Sequence, residues 1–145
     1  MKLTKPQRET LRAKFGGLCA YCGCALGDRW HADHVEPVQR KAVMLNGRYK
    51  STGEFWKPEN DTLDNMNPAC GPCNIDKATC NLDEWRAKLQ RGHEVLERNN
   101  ATYRHSLRYG VIRHNPEPVV FYFERAALAP IPGEPRDASV YPVGE

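Results

Sequence analysis

At 145 residues with a formal net charge of +3, the chain is long enough for one modest core and only mildly basic, so any grip on a polyanion must come from locally clustered cations. Its apolar runs are too short to cross a bilayer, and the opening MKLTKPQRET lacks the hydrophobic stretch of a secretory leader. The chain therefore reads as intracellular, with no membrane partner, and in a reducing compartment its six cysteines serve better as metal ligands than as disulfides.

In chain order, Thr4 with Pro6 and Gln7 makes a capping-box-like helix start, Leu11 and Phe15 share a face, and Gly16-Gly17 ends the helix. Cys19-Ala-Tyr-Cys22 comes next, and Cys70-Gly-Pro-Cys73 is its counterpart, 47 residues (23 to 69) further on. Each pair makes a knuckle that presents two corners of a tetrahedron, so together they form a closed four-cysteine structural zinc site. Buried free thiols or a redox pair are the plainer alternative, disfavoured because two such knuckles rarely coincide by accident. Cys24 and Cys80 read as packed small hydrophobes, although Cys24 lies close enough to Cys22 to replace it as a ligand.

Residues 30 to 38 alternate and stop at Pro37, which predicts a strand. Residues 44 to 62 are rich in Gly, Asn, Ser, Thr and Pro and predict a long loop or hairpin. Asn74 opens a short helix after the second knuckle. Asn81 with Glu84 predicts a capped helix whose stripe of Leu82, Trp85, Leu89, Leu96, Tyr103 and Leu107 is core, interrupted near Arg91 to His93 and closed by Gly110. Residues 118 to 124, PVVFYFE, predict an edge strand that extends the small sheet or mediates self-association. Beyond 125 the prolines and glycines predict an extended or disordered tail.

The chemistry concentrates at His31 to Pro37, HADHVEP. On a strand Asp33 and His34 point to opposite sides of the pleat, so they take different jobs. A carboxylate suits a hard cation such as Mg²⁺, and an unligated histidine suits proton abstraction from water. Asn74, at the start of its helix, is the natural second oxygen ligand beside Asp33. His31 could share a strand face with Asp33 and reads as packing or surface.

The order Cys-x2-Cys, then Asp33-His34-Val35 with Pro37, then residues 63 to 74 (LDNMNPACGPCN) and Lys77, resembles the HNH nuclease family in its zinc-stapled form, common in bacteriophages and bacteria. The match covers residues 15 to 80. It implies an α+β fold: a small ββα-metal core with a four-cysteine structural zinc site, flanked by an N-terminal helix and a C-terminal helical segment plus edge strand. The single domain would span 1 to 125 (core 15 to 80, helical extension 81 to 110, strand 118 to 124), with the tail at 126 to 145. The resemblance makes His34 the general base, Asp33 and Asn74 the ligands of a catalytic Mg²⁺ or Mn²⁺, and Asn65 the residue that orients the histidine and braces the loop between the strands. The chain would be an H-N-N variant, with Ala78 where some members add a further histidine.

The implied activity is single-metal hydrolysis of DNA, double-stranded by preference, leaving 5′-phosphate and 3′-hydroxyl ends. Arg40, Lys41, Arg48, Lys50 and Lys77 are the expected DNA contacts, and a solvated charged face explains them about as well. Packaging beside a phage terminase, homing and restriction would all use this core, alone or as a homodimer. The alternative is a zinc-stapled module that binds nucleic acid or protein without cutting.

Overall fold

The computed structural model of the chain describes residues 2–115 and 117–128. Along them run α1 (Lys5–Ala13), β1 (His31–His34), β2 (Arg40–Leu45), β3 (Arg48–Phe55), a 3₁₀ turn (Pro58–Asn60), β4 (Met66–Ala69), α2 (Gly71–Lys77), α3 (Leu82–Gln90), α4 (Gly92–Asn99), α5 (Ala101–Arg108) and α6 (Tyr122–Leu128). The architecture is α+β, with two small antiparallel sheets of two strands each. None of these helices is long and apolar enough to cross a membrane.

Thr4 caps α1 in a reciprocal box with Gln7, as its sequence predicts. Lys14, just past the helix, donates to Asn67 Oδ1 at 2.9 Å and to the Met66 carbonyl at 3.1 Å, which pins α1 to β4. β4 is buried along its whole length and pairs with β1 in the register His31↔Ala69 and Asp33↔Asn67. α2 follows β4 after Cys70 alone and packs on β1.

Between the paired strands, β2 and β3 form a hairpin over a segment expected as loop or hairpin. Its turn is Asn46-Gly47, with φ of +51° and +72°; such a two-residue turn matches the twist of the strands and strongly prefers these residue types. Most of the hairpin is exposed.

The core gathers on Tyr21, which meets Trp85 edge-on at 5.0 Å and Phe121 edge-on at 5.6 Å, while Trp85 and Phe121 stack at 5.0 Å. The predicted long helix is three helices, broken at Arg91 and again at Asn100, where the Asn100 side chain caps Tyr103 N–H at 3.0 Å. Its apolar stripe meets the core at Trp85, with Leu82 partly buried against it. Leu89 and Leu96 are exposed, and neither α4 nor α5 contains a buried residue.

The edge strand expected at 118 to 124 is not formed; from Tyr122 the chain is helical. The backbone N–H groups of Tyr122 and Phe123 donate to the carbonyls of Tyr21 and Ala20 at 2.9 and 2.8 Å, and Glu124 accepts from Phe121 N–H at 2.8 Å. The first knuckle and a local cap thus satisfy the amide groups that a helix start leaves open, and these contacts override β-propensity. The approach is close: at Gly23 (φ +79°) an added Cβ would lie 2.9 Å from the Tyr122 ring. α6 also occupies 126–128, the first positions of the expected tail, and 129–145 lie outside the described residues.

Candidate functional site

The first knuckle is folded on itself, Cys19 N–H donating to the Cys24 carbonyl at 2.8 Å and Gly23 N–H to the Cys19 carbonyl at 2.9 Å. The second forms the N-terminal turn of α2, with Cys70 as N-cap. Ala20 N–H donates to the Pro68 carbonyl of β4 at 2.9 Å and Cys70 N–H to Cys19 Sγ at 3.4 Å, and the sulfurs of Cys19, Cys22, Cys70 and Cys73 all lie within 4.8 Å of one another. Cys22 and Cys70 are 3.8 Å apart, the edge of a tetrahedron whose corners stand about 2.3 Å from its centre, as in a zinc–thiolate site. Hydrogen bonds from Cys19, Cys70 and Cys73 hold the Cys22 thiol far below its ordinary value, and those with Cys19, Cys22 and Cys70 push Cys73 far above it. Four thiolates this close need a bound cation to coexist, so the cluster has the chemistry to hold a structural metal such as zinc. Cys24 and Cys80 lie outside this four-sulfur group.

β1 separates the two central side chains as its pleat requires. Asp33 turns inward at 6% exposure. Its Oδ2 accepts from the Tyr21 hydroxyl and pairs with Lys77 Nζ at 3.1 Å. Burial, and then the Asp33 charge, drive the Tyr21 phenol well above its ordinary pKa, so Tyr21 is a fixed donor. His34 turns the other way, and its Nε2 lies 2.8 Å from Asp61 Oδ1. An ionised carboxylate can only accept, so Nε2 carries the proton and the Nδ1 lone pair is left available as a base.

Asn65 makes no hydrogen bond to the His34 ring. Its Nδ2 donates to the carbonyls of Asn60 (2.8 Å) and Glu36 (2.9 Å), and its Oδ1 accepts from Glu36 N–H at 3.0 Å. It therefore ties the end of β1 to the turn that carries Asp61. The Asn74 side chain makes no hydrogen bond among the described residues, nor does Asp33 Oδ1. Asn74 precedes Lys77 by three residues on one face of α2, and Lys77 reaches Asp33, so the two free oxygens are donors of the kind a hard divalent cation takes.

Lys77 is a correction. Expected on the DNA-facing surface, it is fully buried, and its ammonium donates to the His34 carbonyl at 2.6 Å besides pairing with Asp33. At the last turn of a short helix docked on β1, its four-carbon stem spans the gap between helix and strand, and the charge is consumed inside. Arg40, Arg48 and Lys50 are exposed on the hairpin. Lys41 pairs with Glu54 at 3.1 Å and lies over Trp56.

A cleft of about 500 Å³ opens beside His34 and Asp61, lined also by His31, Arg8, Trp30 and Arg40. His31, expected as packing or surface, lies on this cleft. Asp61 and Arg8 escape sequence reasoning: Asp61 sits 27 residues from His34 in a turn-rich segment, and the partner of Arg8, Trp30, is 22 residues away. No protein-family model, curated protein or solved structure matches this chain.

Proposed function

We propose that this chain is an HNH-type endonuclease that hydrolyses DNA phosphodiester bonds with His34 as general base, leaving 5′-phosphate and 3′-hydroxyl ends. The observation that carries the reading is the His34 imidazole, held through Nε2 by Asp61 at 2.8 Å on a cleft whose other charged residues are cations. A base fixed in one tautomer, with its second nitrogen available, takes a proton from water as it attacks phosphorus. Asp61 acts as the positioning residue, and Asn65 holds the turn that carries it.

Asp33 and Asn74 would hold Mg²⁺ or Mn²⁺, which supplies polarisation of a non-bridging phosphate oxygen and counter-charge for the leaving oxygen. Lys77 already balances the charge of Asp33, so the protein alone holds such a cation weakly and the substrate phosphate must complete its site. Zinc at the four cysteines is structural and keeps the first knuckle, β4 and α2 in register.

Supercoiled plasmid is the test, incubated with Mg²⁺, with Mn²⁺ or with neither, using wild type, His34→Ala and Asp61→Asn. Nicked or linear product should need both metal and His34, with Asp61→Asn slower by about 10²-fold or more. Intact plasmid under every condition, from folded protein that still binds duplex, would reject the nuclease and leave a binding module.

A further inference from the structure

The cleft beside His34 has a wall that the catalytic residues do not account for. Trp30, immediately before β1, is 8% exposed, and Arg8 of α1 lays its guanidinium over the indole, 4.2 Å from ring centroid to Cζ. One amino group of Arg8 donates to the Trp30 carbonyl at 3.3 Å. An arginine has five N–H donors in a planar fork, so most of this one remains unused. Lys41, Lys77, Arg86 and Lys88 each have a carboxylate partner, whereas Arg8 and Arg40 have none among the described residues. The one acid lining the cleft, Asp61, is engaged by His34.

Two unpaired guanidiniums on one partly enclosed surface attract a polyanion, because low-dielectric walls focus their field. The stack on Trp30 also restricts the Arg8 side chain in advance, so less freedom is lost when it meets a phosphate, and its fork matches phosphate geometry. We infer that Arg8, braced on Trp30, is a DNA-phosphate contact of this chain and that, with Arg40, it seats the strand against His34. This rests on the nuclease reading for its substrate. It makes α1 a wall of the substrate site as well as a support for β4.

The test is equilibrium binding of a fluorescent DNA duplex to zinc-loaded protein without Mg²⁺, over a series of salt concentrations. Arg8→Met keeps an aliphatic cover on Trp30 and removes the charge. Its slope of log affinity against log salt should fall by about 0.9, the value of one phosphate contact on B-DNA, with the thermal midpoint unchanged. In wild-type protein, duplex should protect Arg8 from phenylglyoxal, read by mass spectrometry, which keeps the test decisive if the variant fails to fold. Wild-type affinity with an unchanged Arg8→Met slope, or with Arg8 unprotected, overturns the phosphate contact alone. Wild-type protein with no affinity for duplex overturns the nuclease reading with it.

Discussion

Lys77 carries its charge into the interior, and that decides what its removal costs. Its side chain and that of Asp33 are 1% and 7% exposed, and their ion pair sits among hydrogen bonds from Tyr21 and to the His34 carbonyl. Lys77→Met would leave a carboxylate buried with one neutral donor, which costs about 3–5 kcal/mol. Urea unfolding should register that loss, and most of it should return in Lys77→Met with Asp33→Asn, where no charge is left unpaired. A double variant no more stable than the single would remove the pair as the reason. On the same strand, His34 meets a carboxylate near the protein surface, where a cleft leaves one ring nitrogen available for chemistry. One residue's difference along a pleat therefore separates the buried side chain, Asp33, from the one that faces the cleft, His34.

At the scale of elements, α6 is the clearest case of tertiary context overriding local preference. Arg86 of α3 holds Glu124 through two hydrogen bonds, at 2.6 and 3.0 Å, and donates to the Val119 carbonyl at 2.7 Å. Glu124 in turn accepts from Phe121 N–H, and the Arg86 guanidinium holds its carboxyl below the ordinary glutamate value. A depressed folded-state pKa means stabilisation that is present above the ordinary value, about 4.5, and lost as pH falls through the folded one. Protection of the amides across 119–125, taken relative to their intrinsic exchange rates, should therefore fall in acid, and Glu124→Gln should show the lower protection already at neutral pH. Equal protection in wild type and Glu124→Gln at pH 7 would separate the ion pair from the docking of α6.

For the whole molecule, the four cysteines join segments far apart in the chain. With few buried apolar residues among those described, a metal there would act as a second core. Cys70→Ser should lose bound zinc and the cooperative thermal transition, checked by metal analysis and calorimetry, and a chelator should do the same to wild type. Zinc-free protein that melts cooperatively at the wild-type temperature would reject the structural metal.

How much of this was legible in the chain follows from the range of each interaction. The capping box at Thr4, the two knuckles and a strand within 30 to 38 rest on residues within a few positions of each other and appear as the sequence predicts, whereas the helix expected from Asn74 starts three residues earlier, at Gly71, with the second knuckle inside its first turn. The opposite orientation of Asp33 and His34 was equally legible, because strand geometry alternates side chains whatever surrounds them. The partners of those side chains were not. Asp61 on His34, Lys77 on Asp33, Arg8 on Trp30 and the knuckle carbonyls under α6 are contacts across 22 to 103 residues (8 to 30, and 20 to 123), and no local pattern marks them. The sequence by itself determined which metal-capable and titratable groups this protein carries and the local backbone that presents them. Only the tertiary structure decided which charges are spent in the interior and which stay open to a ligand, since burial and pairing depend on neighbours brought together by the fold.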